Sequence, residues 1–216
     1  MSATEGVLLL HGIARRATSL RPLERRLSAA GYATLNLDYP ARRLGLAEIA
    51  CALAPAVSAF GAGVARLHIV THSMGGLVAR VLLTGHRPEN LGRVVMLGPP
   101  NEGSEVADAL HRLALYRRVF GPAGAELVTA RDEAGRRLFG PIDYPLGIIA
   151  GSRSLYPLAS LLLPGLNDGR VTVARTRLAG MADHIVLPVA HPIMMWSRRL
   201  QDETLHFLRE GRFGRG

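Results

Sequence analysis

Six short, nearly uninterrupted apolar runs punctuate the chain, at 6–10, 33–37, 66–70, 93–97, 146–150 and 185–189, and stretches of helical spacing separate most of them. A strand that is apolar on both faces must be covered on both faces. Strands that alternate with helices pair in parallel. The pattern therefore predicts an α/β three-layer sandwich, with a mostly parallel central sheet and helices on both sides. Its helices are expected where Leu20, Leu23, Leu27 and Ala30 recur, opened by Pro22 and stopped by Gly31, and where Leu46, Ile49, Leu53, Val57 and Phe60 recur. Pro55 should kink or split the second of these. Leu77 and Val81 mark a third helix ending near Gly85, and further helical patterns run over about 106–119 and 193–208, the last with Trp196, Leu200 and Leu205. The stretch 103–143 is less regular than the rest. It is the candidate for a small cap or insertion in what otherwise reads as a single domain over 1–216.

Length and composition narrow the functional classes. A chain of 216 residues, 48% hydrophobic and 20% charged, suits one globular domain. The formal charge of +9 comes mainly from arginine, in pairs such as Arg15-Arg16, Arg42-Arg43, Arg117-Arg118 and Arg198-Arg199 scattered over many segments. A nucleic-acid site would gather them into one stripe with interleaved aromatics, and aromatics are only 5% of the residues, so no nucleic-acid partner is expected. The charges read as solvated faces that attract anionic substrates or surfaces non-specifically. Cys51 is the only cysteine, which rules out an intramolecular disulfide and a thiolate metal cluster; its neighbours Ala50, Ala52 and Leu53 predict a buried position. The N-terminus has no basic region, and the apolar run at 7–10 is too short for a signal peptide or a membrane span, which leads to the expectation of a cytoplasmic chain. Gly61-Ala62-Gly63 precedes a strand instead of following one, which speaks against a dinucleotide fingerprint. No cofactor and no metal are expected.

In a parallel sheet, ligands gather beyond the carboxyl ends of the strands. His11, Ser73, Asp168 and His191 all fall there if the strands are placed as above. Ser73 follows an apolar run and precedes a helix, in His72-Ser73-Met74-Gly75-Gly76. A tight strand–turn–helix bend exposes a serine oxygen, and small residues after it prevent backbone collision. Thr71 stands where the G-x-S-x-G pattern has its first glycine, and Gly75 supplies the second. Such a serine needs a histidine to take its proton and a carboxylate to orient that histidine. His191, after the last apolar run, has the chain order and sheet end of the base, with His184 its main rival. His72 is better suited to orienting the bend, and His68, inside a strand, to a structural role. Asp168, in Asn167-Asp168-Gly169, is the acid that fits the order serine, acid, histidine; Asp183, Asp143 and Asp38 are alternatives. A developing oxyanion needs fixed donors. The backbone N–H of Met74 and that of Ile13, with Gly12 as the near alternative, are the candidates.

Leu8-Leu9-Leu10-His11-Gly12-Ile13, His72-Ser73-Met74-Gly75-Gly76, Asn167-Asp168-Gly169 and His191 together resemble the α/β-hydrolase superfamily, close to its small bacterial lipase-like members. The resemblance implies Ser73 as nucleophile, Asp168 as acid, His191 as base, and Ile13 and Met74 as the oxyanion hole. It also implies hydrolysis of carboxylic esters, in small-molecule or lipid substrates, through an acyl-enzyme. The same machinery serves amidases, thioesterases and acyltransferases, and a non-catalytic binding protein on this fold is the bland alternative. Leu97-Gly98-Pro99-Pro100-Asn101-Glu102-Gly103-Ser104 resembles the loop beside the pocket in lipase-like relatives, with Asn101 or Ser104 shaping the site.

Overall fold

A computed structural model of the chain describes residues 4–110, 114–129, 135, 137–156, 160 and 163–215, with no side-chain description at 109, 110 and 114–119. Its frame is one six-stranded sheet in the order β2-β1-β3-β4-β5-β6. The strands are β1 (Gly6–Leu10), β2 (Ala33–Leu37), β3 (Leu67–His72), β4 (Leu91–Leu97), β5 (Leu146–Gly151) and β6 (Asp183–Leu187). Every pairing between neighbours is parallel. All carboxyl ends therefore open on the same edge, and the chain order steps outward from β1 in both directions.

Two apolar layers follow from strand alternation. Leu8, Leu10, Ile69, Met96 and Ile148 point into a core shared with helices α2 (Leu46–Ala62) and α3 (Gly75–Gly85). Val7, Leu9, Val70, Val95 and Ile149 point the other way, onto α1 (Arg21–Ala29) and the last helix, Arg198–Glu210. The three layers predicted from the sequence are thus present, with helices on both faces.

Several local expectations need correction. Helix α2 continues unbroken through Pro55. Its burial on α3 and β1 holds the turn that a proline would loosen in isolation. Cys51 is exposed rather than buried, because Ile49, Ala50, Leu53 and Ala54 occupy the inward face of that helix. Strand β6 begins two residues earlier than its apolar run and ends at Leu187, since an edge strand tolerates the polar Asp183 and His184 at its start. The expected terminal helix is two elements: a 3-10 turn, His191–Trp196, then a helix capped by Ser197, whose hydroxyl accepts from the Leu200 N–H. Between β4 and β5 lie α4 (Glu105–Leu110) and α5 (Ala114–Ala125), the latter interrupted at Gly121, where φ is 62°. The four-residue α6 (Val173–Thr176) precedes β6, and Arg198–Glu210 is α7. No described helix is long and apolar enough to cross a membrane.

Candidate active site

The bend after β3 holds a non-glycine residue in a conformation that L-residues rarely adopt. Ser73 has φ of 56°, in the left-handed region, at a cost of about 1–2 kcal/mol for an L-residue. What holds it is the packing around it. The Ser73 N–H donates to the Leu97 carbonyl at 2.8 Å, and a Cβ on Gly75 would collide with the backbone of Leu10 and His11. Glycine at 75 therefore lets α3 start directly against β1, with its first turn aimed at the sheet's carboxyl edge. Thr71, in the place of the first motif glycine, is fully buried within β3, and its side chain is accommodated without disturbing the bend.

Asp168 and His191 are joined twice. Asp168 Oδ2 accepts from His191 Nδ1 at 2.6 Å, and the His191 N–H donates to the Asp168 carbonyl at 3.0 Å. The other carboxylate oxygen, Oδ1, accepts from the N–H groups of Arg170 at 2.9 Å and Val171 at 2.8 Å. The aspartate thus closes its own turn and orients the imidazole at once. Both side chains are almost fully buried. Two glycines make room for the pair, because a Cβ on Gly98 would stand 3.0 Å from Asp168 Oδ2, and one on Gly151 would stand 2.7 Å from Asp168 Cβ. Sequence reading did not single out either glycine for this: the signal is a packing distance between segments far apart in the chain.

Ser73 and His191 line the same cavity, of about 190 Å³, with Gly12, Ile13 and His72. Neither the Met74 nor the Ile13 N–H donates to any acceptor among the described residues. Val106, Ala107, Phe120 and Leu127, all from 103–143, form an apolar wall of this cavity, and Arg15 and Arg170 bring positive charge to it. Ser104 also lines it and donates to the Arg170 carbonyl at 2.8 Å, while Asn101 donates to the Thr176 carbonyl at 2.7 Å.

The remaining candidates are engaged elsewhere. His184 pairs with Thr176 Oγ1 at 2.9 Å, and burial pushes its pKa down to about 4. Asp143 is held by both Arg87 Nη atoms at 2.9 and 3.0 Å. Asp183 accepts from the N–H groups of His184 and Phe213 and from Arg215. Asp38 accepts from the Ala17 N–H at 2.6 Å and lies 3.5 Å from His11 Nε2. His11 stacks on Tyr39, whose hydroxyl donates to the His11 carbonyl, so the pair braces the loop of Gly12 and Ile13. His72 donates from Nε2 to the His191 carbonyl at 3.0 Å; complete burial keeps its pKa well below the ordinary value, which leaves a neutral strut behind the turn. His68 accepts the Arg93 N–H at Nδ1 within the core. Among the described residues no three His, Cys, Asp or Glu side chains converge as a metal site would.

A parallel sheet with a serine bend and a histidine–carboxylate pair at one edge defines a hydrolase of the α/β type. The chain belongs to the α/β hydrolase family, which it matches over residues 7–211. Comparison of the sequence with curated proteins gives no match. Among solved structures, the mature form of the Bacillus licheniformis lipase BlEst2 is similar with a TM-score of 0.72 and 21% identity, over 89% of this chain and 87% of that one. A metagenomic carboxyl esterase, MGS0156, gives 0.69 and 18%, over 88% and 65%. Phospholipase PlaB from Legionella pneumophila gives 0.64 and 18%, over 87% of this chain and 53% of that one. The chain thus spans about half the length of that phospholipase, and 47% of the propeptide form of the lipase.

Proposed function

We propose that the chain is a serine hydrolase that cleaves carboxylic esters through an acyl-enzyme, with Ser73, Asp168 and His191 as its triad. The observation that carries the reading is the 2.6 Å hydrogen bond that His191 Nδ1 donates to Asp168 Oδ2, on a histidine that lines the same pocket as Ser73. With its proton on Nδ1, the imidazole keeps Nε2 free to act as base. His191 Nε2 takes the Ser73 proton as Oγ attacks the ester carbonyl, and Asp168 stabilises the imidazolium that forms. The carbonyl π pair moves to oxygen, where the Met74 and Ile13 N–H groups receive the oxyanion. Collapse expels the alcohol, which takes the proton from His191. Water, deprotonated by the same histidine, then repeats the sequence on the acyl-enzyme and releases the acid. The apolar wall of Val106, Ala107, Phe120 and Leu127 suits an acyl chain, and these described residues of 103–143 act as part of a small cap over it.

The test is labelling with a fluorophosphonate, followed by peptide mapping and an ester screen. Stoichiometric labelling at Ser73, absent in a folded Ser73→Ala protein, together with ester turnover, is expected. A folded protein that neither labels nor turns over short esters overturns the reading.

A further inference from the structure

Among the described residues, six large apolar side chains are exposed, and five of them lie on the loops beyond the carboxyl ends of β5 and β6: Leu155, Tyr156, Leu166, Ile193 and Trp196. Scattered exposed apolar residues need no explanation, whereas a local concentration marks an interaction surface. The loops are stitched into one rim. The Arg153 N–H donates to the Val189 carbonyl at 3.3 Å, the His191 N–H to the Asp168 carbonyl at 3.0 Å, and a Cβ on Gly169 would lie 3.3 Å from the Tyr156 ring. Ile193 and Trp196 are three residues apart in a 3-10 turn, so they project from the same side, while Met194 and Met195 between them are buried. Trp196 is 70% exposed and Leu166 65%. This is an unusual position for two large side chains with a core available beneath them.

Charge tells what covers the rim. Between Asp143 and Asp202 the only acidic residues are Asp168 and Asp183. The first is buried on His191, and the second opens β6 at the far end of the sheet, bonded to Arg215. Arginines stand among the apolar groups instead. Arg15 donates to the Pro192 carbonyl at 3.3 Å, Arg170 lies over the Tyr156 ring at 5.5 Å, and Arg153, Arg198 and Arg199 are exposed in the same loops and at the start of α7. Apolar side chains flanked by guanidinium groups, on loops between 144 and 201 that carry no other carboxylate, with Asp38 and Asp202 engaged by the Ala17 N–H and Arg26, match a surface that offers phosphates above hydrocarbon.

We propose that this rim docks on an anionic phospholipid bilayer, with Ile193 and Trp196 entering the interface and the arginines on the lipid phosphates. Arg15, Arg170 and His191 belong to both the rim and the cavity wall, so docking turns the cavity towards the lipid. The inference concerns binding and does not rest on the hydrolase reading.

Trp196 is the only tryptophan, and its fluorescence reports the contact directly. The full chain, as wild type and as Ser73→Ala so that hydrolysis cannot alter the lipid, is mixed with phosphatidylglycerol–phosphatidylcholine vesicles and with phosphatidylcholine vesicles. Its emission and its flotation with lipid are followed. A blue shift and flotation with the anionic vesicles only, reversed by salt, are expected. Ile193→Glu should weaken vesicle affinity by about tenfold or more, and Arg198→Gln by about fivefold. Both variants should keep the wild-type thermal midpoint. No shift with anionic vesicles, or equal binding to neutral ones, overturns the proposal. So does a lipid-independent blue shift that grows with protein concentration as a dimer forms, which would make the rim a contact between two copies.

Discussion

Replacing Gly98 by alanine tests the geometry of the site without replacing any group that takes part in chemistry. Gly98 follows β4 directly, in the left-handed region, φ 54°, with its N–H on the Ile149 carbonyl at 2.8 Å. The added methyl would stand 3.0 Å from Asp168 Oδ2, 3.1 Å from Met194 Sδ and 3.2 Å from His191 Nδ1. Ordinary contact begins at 3.4 Å, so it is 0.2–0.4 Å too close on three sides, two of which are the ends of the Asp168–His191 hydrogen bond. The backbone cost is about 1–2 kcal/mol, and the overpacking adds about 1–3 kcal/mol. For a domain of this size each kcal/mol lowers the thermal midpoint by about 2–4 °C. A reacting group displaced by a fraction of an ångström to 1 Å loses on the order of tenfold to 10²-fold in rate. The expectation is a folded protein with a lower midpoint, a kcat down by that factor on a soluble ester, and a KM little changed. Gly85→Ala is the control: its Cβ meets open space within α3, and alanine there is expected to be neutral or stabilising by about 0.5–1 kcal/mol. A folded Gly98→Ala enzyme with wild-type kcat would refute the reasoning, because the methyl cannot be accommodated without moving the pair on which turnover is said to depend.

Asp168→Asn should leave the fold intact, since one side-chain oxygen can still accept from Arg170 and Val171, and lower kcat on the order of 10⁴-fold in a steady-state ester assay. Thr71→Val removes a buried hydroxyl that has no hydrogen-bond partner among the described residues, so chemical denaturation should show stability unchanged or higher by about 1 kcal/mol, with activity retained. Burial lowers the pKa of His11, His68, His72 and His184, the last to about 4 from 6.5. The unfolded chain therefore binds protons that the folded chain refuses, and the stabilisation present above pH 6.5 is lost as the pH falls towards 4. Thermal midpoints measured across that interval should drop, and less steeply in His184→Gln; a midpoint that is flat or rises on acidification would contradict the burial argument.

What was legible in the sequence was what depends on local pattern and chain order. The runs at 6–10 and 33–37 coincide with β1 and β2, and strand–helix alternation carried the sheet's direction and its two covers. Proposing Ser73, Asp168 and His191 required only that each lie beyond the carboxyl end of a strand, which a difference of two residues in the strand ends does not alter. Where the reading failed, a tertiary contact had overridden a local rule. Pro55 stays helical because the helix is packed, and Cys51 faces water because its neighbours claim the core. The parts of the site made by distant segments had no local signal at all. Gly98 and Gly151 are ordinary glycines until Asp168 is brought against them, and the twofold use of the Asp168 carboxylate depends on a turn whose closing donors are Arg170 and Val171.

The serine bend and the histidine turn occupy unequal places in the sheet. β3 is flanked by β1 and β4, whereas β6, among the described residues, is an edge strand paired only with β5. Parallel pairing between segments distant in sequence forms slowly, and a strand with one neighbour opens more readily than one with two. Refolding should therefore restore secondary structure before it restores turnover, because the histidine arrives with the last strand. Under mild denaturant the order reverses: amide exchange in β6 should outpace that in β3, and turnover should disappear while most of the sheet is still closed. The enzyme's working lifetime is then set by the detachment of one edge rather than by the stability of the whole.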